Sequence, residues 1–146
     1  MDINNFEKLL QVARGLLGQP YKYGAVMSEA PDFFDCSGFI KYIFSQIGVD
    51  LPRSTIEQAL IGEEVSLSDI EPGDLIFGRG SRGHYNSHFP QGIGHVGLYI
   101  GHDKVIHAAS ERLSEKPIIE KGEVLESTLS EFISGWQPVV VVKRIL

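Results

Sequence analysis

Apolar residues recur at helical spacing in the first half of the chain and in alternation in the second. Ile3, Phe6, Leu10, Ala13 and Leu17 follow the helical period, with Asp2 available as N-cap and Gly18 and Pro20 as stop signals, which predicts a helix to about Leu17. Turn-forming residues make 21–34 a loop. A second helical face, Phe39, Ile40, Ile43, Phe44 and Ile47, is closed by Gly48, and Cys36 lies at its start. Ser54 and Glu57 have the spacing of a capping box and open a short third helix after Pro52. Pro72-Gly73 then ends the helical half. Short strands are predicted at 74–77, 95–100, 105–109 and 139–144, and a second capping box, Thr128 with Glu131, opens a short helix before Trp136. Helices followed by a mostly antiparallel sheet make an α+β domain.

The stretch 78–94 fits no regular element. It carries Arg79, Arg82, His84, Tyr85 and His88 between glycines, and a loop of that length is expected to be a flap over a neighbouring site. With 146 residues the chain fits one domain able to bury a core of its own. Its 42% apolar and 22% charged residues are ordinary for a soluble protein, and no apolar run is long enough to span a membrane. The net charge of −6, spread along the chain, argues against nucleic acid as a partner and for small or neutral substrates. Met1-Asp2-Ile3-Asn4-Asn5 lacks the basic patch and apolar core of a secretory signal, so the expected location is the cytoplasm or a destination reached by a phage or other non-standard route. Oligomeric state has no signature in the sequence.

A single cysteine cannot form an internal disulfide, and its thiol stays free. Isolated cysteines commonly just fill space. Asp35-Cys36-Ser37-Gly38 instead surrounds the sulfur with small and polar residues at a helix N-terminus, where unpaired N–H groups and the helix dipole favour a thiolate. Such a nucleophile needs a base, for which histidine is suited. In Gly94-His95-Val96-Gly97-Leu98-Tyr99-Ile100, alternation sets His95, Gly97 and Tyr99 on one face, and His107 has the same character in the next strand, with small neighbours leaving room above the sheet. A three-residue loop, Gly101-His102-Asp103, pairs Ile100 with Lys104 and Gly97 with His107, setting His95 diagonally from His107. A two-residue loop without a bulge separates the rings, so the triad predicts the longer loop. His107 then orients and polarises His95. His84 and His88 have a metal-like spacing but no third ligand, and neither a metal nor another cofactor is expected.

The blocks Pro20-Tyr21-Lys22-Tyr23-Gly24, Asp35-Cys36-Ser37-Gly38-Phe39-Ile40, Leu51-Pro52-Arg53-Ser54, Pro72-Gly73-Asp74-Leu75-Ile76-Phe77, Gly94-His95-Val96-Gly97-Leu98-Tyr99-Ile100-Gly101 and Val105-Ile106-His107-Ala108 together resemble the NlpC/p60 cell-wall cysteine peptidases, which are papain-like. The resemblance implies N-terminal helices packed on a mostly antiparallel sheet, with the nucleophile on Cys36, the base on His95 and the third polar residue on His107. It also implies that Tyr23 helps hold the oxyanion, and that Asp35 and Ser37 receive the free amine of a stem peptide. The implied activity is hydrolysis of peptidoglycan stem peptides or muropeptides at the bond between γ-D-glutamate and a diamino acid. Amidase or acyltransferase chemistry with the same thiol, and a non-catalytic binding module, are the alternatives. The segments 23–35 and 78–94 are longer than the family's usual ones and border the cleft, where they bear on substrate preference.

Overall fold

The computed structural model describes residues 3–81 and 83–146, with the side chains of residues 3, 111–115 and 118–120 outside the description. The expected N-cap Asp2 and the loop residue Arg82 fall outside it. Among the described residues there are four α-helices and six strands: α1 (Ile3–Gly15), α2 (Cys36–Ser45), α3 (Thr55–Gln58), β1 (Glu63–Val65), β2 (Leu75–Gly78), β3 (His95–Gly101), β4 (Lys104–Glu115), β5 (Ile118–Thr128), α4 (Leu129–Gly135) and β6 (Val139–Arg144). The strands form one sheet in the order β1-β6-β2-β3-β4-β5 with every pairing antiparallel. The α+β arrangement expected from the sequence is observed.

Both faces of the sheet are covered, and strand alternation sorts the residues between them. Leu75, Phe77, Val96, Leu98 and Ile106 point to the face covered by α1 and α2, where they meet Phe39, Ile40, Ile43 and Phe44, all fully buried. Each such side chain contributes roughly 1.5–3 kcal/mol relative to exposure. On the opposite face Ile76, Val105 and Val142 pack against Phe132 of α4. The reciprocal capping box at Thr128 and Glu131 starts that helix as expected. The face bearing His95 and Gly97 is therefore not open space. A Cβ on Gly97 would stand 2.5 Å from the Phe132 ring and 2.7 Å from Val105, so this glycine makes room for the helix.

The turn between β3 and β4 differs from the expected three-residue loop. Gly101 pairs with Lys104, leaving His102 and Asp103 as a two-residue turn, both at positive φ (52° and 61°) as tight hairpin turns require. An irregularity between Tyr99 and Gly101 restores the register, and Leu98 pairs with Ile106. A two-residue turn plus one extra residue in the strand has the same effect on facing as a three-residue loop, because side chains alternate with period two. The consequence drawn from the longer loop, Gly97 opposite His107, therefore holds.

β5 has no counterpart in the sequence reading. Val124 is the one fully buried apolar residue among its described side chains, and Glu123 and Glu126 interrupt any apolar run, so periodicity gives little signal. Its outer edge is not bare: Gly18 N–H donates to Val124 O and Tyr21 N–H to Gly122 O, while Val124 N–H donates to Gln19 O. Residues 18–21 thus cover an edge that would otherwise offer unpaired backbone groups. Asp74, expected to begin a strand, is a buried anchor whose two carboxylate oxygens accept from Arg144 Nε and Nη2 at 3.0 and 2.9 Å.

Candidate active site

A cleft of about 880 Å³ opens at the N-terminal end of β3. Its helical wall includes Tyr23, Asp35, Cys36, Ser37, Arg53 and Thr55, and its sheet wall includes Arg79, His84, Gly94, His95 and Trp136. The sequence places the thiol at a helix N-terminus, and the structure has it there: Asp35 is the N-cap of α2, its Oδ1 accepting from Gly38 N–H at 2.7 Å. Such a cap is worth about 1 kcal/mol and leaves the first N–H groups of the helix around the sulfur. A Cβ on Gly38 would come within 2.8 Å of Asp35 Oδ1, so the glycine admits the capping carboxylate.

Arg53 ties this wall together. Its Nη2 donates to Asp35 Oδ2 at 2.8 Å and to the Ala25 carbonyl, and its Nη1 donates to Ser37 Oγ at 2.9 Å. The loop before α2, the helix start and the segment after Pro52 are thereby joined through one guanidinium. Asp35 and Ser37 line the cleft with these bonds already made. Tyr23 stands at the mouth, 64% exposed. Thr55 was not singled out in the sequence; its hydroxyl lies 3.6 Å from Cys36 Sγ.

On the sheet wall His95 and His107 are both buried, and His95 Nε2 lies 2.8 Å from His107 Nδ1. His107 Nε2 lies in turn 2.9 Å from Ser127 Oγ on β5. The expected contact between the rings is present, and Ser127 extends it; this residue was hidden because the strand that carries it was. The room expected above the sheet is filled. Trp136 stacks on His95 with centroids 4.1 Å apart and planes 15° from parallel, and it meets His107 edge-on at 5.0 Å. Gly78 and Gly80 fit against Trp136: a Cβ on Gly78 would stand 2.2 Å from its carbonyl oxygen, and one on Gly80 2.9 Å from its ring.

By alternation His95 points to the α4 face, whereas Cys36 belongs to the α2 side. The two walls converge where β3 begins: Cys36 Sγ is 4.0 Å from the Gly94 carbonyl, one residue before His95, and both side chains line the cleft. Burial pushes the Cys36 thiol above its ordinary value, and the Thr55 hydrogen bond partly opposes this. Burial, and then the charge of His107, holds His95 well below the usual imidazole range. Burial alone takes His107 to about 4. All three shifts favour the uncharged forms, so for the thiol burial works against the thiolate that the helix N-terminus favours.

The long loop is more ordered than a bare flap. His84 and Ile93 exchange both backbone hydrogen bonds at 2.8 Å, pinching 84–93 into a closed loop, and Arg79 N–H donates to the Pro138 carbonyl. His88 N–H and Phe89 N–H both donate to Asn86 Oδ1, an Asx-type turn at the tip.

The NlpC/P60 family profile matches residues 18–129, and the chain belongs to that family. It is 38% identical over 111 residues to "Probable endopeptidase Cgl2188" of Corynebacterium glutamicum, covering 75% of this chain and 46% of that protein. It is 35% identical over 108 residues to the gamma-DL-glutamyl hydrolase of Bacillus subtilis, covering 73% of this chain and 24% of the relative. Among solved structures, the peptidoglycan hydrolase RipB of Mycobacterium tuberculosis superposes with a TM-score of 0.69 at 27% identity, over 98% of this chain and 65% of that one. The chain spans about half of the first curated relative and a quarter of the second.

Proposed function

We propose that this protein is a cysteine peptidase that hydrolyses peptidoglycan stem peptides, at the bond between γ-D-glutamate and a diamino acid, with Cys36 as nucleophile, His95 as base and His107 as the group that orients it. The observation carrying the reading is the shared cleft: a capped-helix thiol on one wall and, on the other, an imidazole whose Nε2 is held 2.8 Å from a second imidazole. The family and the named activities of its relatives favour this substrate class, and the gamma-DL-glutamyl hydrolase favours the γ-linkage.

One tautomeric assignment suits the chemistry. If His95 Nε2–H donates to His107 Nδ1, and His107 Nε2–H donates to Ser127 Oγ, then His95 Nδ1 is unprotonated and can take the thiol proton. Because burial keeps the resting pair neutral, the proton leaves sulfur as the S–C bond to the scissile carbonyl forms. N–H groups at the start of α2, with Tyr23, support the oxyanion, and Asp35 and Ser37 receive the peptide amine. As the C–N bond breaks, the proton passes from His95 to the leaving amine. Water then cleaves the thioester and restores Cys36.

Digestion of purified muropeptides followed by mass spectrometry tests the reading. The wild-type chain is expected to release fragments whose masses name the γ-glutamyl bond, and Cys36→Ala to release none while keeping the wild-type melting temperature. Undiminished cleavage by Cys36→Ala defeats the assignment. A mass gain on an added acceptor favours acyl transfer, and binding without cleavage favours a non-catalytic module.

A further inference from the structure

The charges lining the cleft do not cancel. Asp35 and Arg53 neutralise each other across 2.8 Å on the helical wall. Arg79, on the sheet wall, has no ion-pair partner among the described residues, which makes the cleft locally positive in a chain of net charge −6. Arg79 and His84 are both exposed on the cleft wall, and the backbone and stem of Arg79 are held. The Arg79 backbone N–H is tied to Pro138 O at 3.1 Å, and its Cγ lies 2.9 Å from where a Cβ on Gly83 would be, so the aliphatic stem crosses a residue that has no side chain. The paired backbone of His84 and Ile93 closes the same loop and sets His84 on the cleft beside Arg79. A planar guanidinium with unused donors suits a carboxylate, which it can bind through two parallel hydrogen bonds.

Resting on the peptidase reading above, we infer that Arg79, with His84 beside it, forms a carboxylate subsite on the sheet wall that selects peptides with a free α-carboxylate next to the scissile γ-amide. The chemistry of a γ-linkage supplies the ligand. When glutamate is joined through its side-chain carboxyl, its α-carboxylate remains as an anion a few bonds from the carbonyl under attack. On the helical wall the charge of Arg53 is already matched by Asp35, and three of its N–H donors go to Asp35, Ser37 and Ala25, whereas on the sheet wall the charge of Arg79 is unmatched among the described residues and suits that anion better. Converting the α-carboxylate to a carboxamide removes the charge and one acceptor while preserving shape. The subsite therefore makes the protein an enzyme of unamidated stem peptides.

The test uses two synthetic peptides, L-alanyl-γ-D-glutamyl-L-lysine and its α-carboxamide counterpart, with kcat/KM measured for each. The wild-type chain is expected to prefer the carboxylate by about 10-fold or more, the scale of a hydrogen-bonded charge pair. In Arg79→Gln the ratio of the two kcat/KM values falls toward one, and in Arg79→Lys part of it returns, since the charge remains and the fork is lost. A folding defect lowers both rates and leaves the ratio as it was. An unchanged ratio in Arg79→Gln, or equal cleavage of both peptides by the wild-type chain, overturns the subsite while leaving the peptidase reading intact. Cleavage of neither peptide by the wild-type chain overturns that reading and the subsite with it.

Discussion

On the helical wall of the cleft the polar groups are charged and matched: Arg53 joins Asp35, Ser37 and the Ala25 carbonyl, with the guanidinium about a third exposed. On the sheet wall His95, His107 and Ser127 run in a chain of neutral groups beneath Trp136 and Phe132, with the two rings almost entirely out of solvent. The difference follows from depth. A partly wet site tolerates a full ion pair, whereas a dry one penalises any charge without a counter-charge, so the imidazoles are held neutral until a proton reaches them. The helical wall holds the Cys36 thiol in place. In the proposed mechanism the sheet wall stores proton-accepting capacity that is used only when the thiol gives up its proton.

Substitutions at His95, His107, Arg53 and Trp136 probe this contrast. His95→Ala removes the proposed acceptor, and kcat/KM on muropeptides is expected to fall on the order of 10³-fold or more with the fold retained. A loss within 10-fold would place the base elsewhere. His107 reports on neutrality through stability. Its folded value of about 4 lies below the ordinary 6.5, so between these pH values the unfolded chain binds a proton that the folded chain refuses, and stability falls as pH drops through that window. Urea unfolding at pH 7 and pH 5 should show about 2 kcal/mol of acid destabilisation in the wild type that is missing from His107→Asn. The same slope in both proteins would mean that the ring is charged or wet.

Arg53→Gln breaks the charged wall. It strands the half-buried Asp35 carboxylate and should cost about 1–2 kcal/mol in urea unfolding at pH 7. Asp35→Asn combined with it should recover part of that loss, because no charge is then left unmatched. The smallest effect is expected from Trp136→Leu, which removes an indole face that attracts the imidazolium. The acid limb of the kcat/KM pH profile, where the base becomes protonated, should move down by about half a unit, and Trp136→Phe should move it less. A uniform drop in rate with an unmoved profile would assign Trp136 to packing alone.

Short-range signals carried the helical wall. The helix start at Cys36, the Thr128 capping box and the apolar face of α2 depend on residues within one or two turns of each other and are observed as read, while at Ser54 only the N-cap half of the expected box forms, and the Asp35 cap is added by the structure. The strand faces of β3 were legible for the same reason. The exact turn after it was not, because a two-residue turn with a bulge and a three-residue loop impose the same facing and differ only in backbone path. β5 was invisible, as a strand with one fully buried apolar residue among its described side chains leaves no periodic trace, and Ser127 went with it.

By itself the sequence determined which residues are candidates for chemistry, where the helices that follow Cys36, Ser54 and Thr128 begin and which way the side chains of β3 point, since these depend on neighbours along the chain. Only the tertiary structure decided what meets them: Arg53 across the Asp35 carboxylate, Trp136 on His95, Thr55 at the sulfur, Ser127 behind His107 and Arg79 laid over Gly83. Apart from Arg79 over Gly83, those contacts join segments far apart in the chain, and their selection depends on volume, burial and charge compensation, which no local pattern encodes.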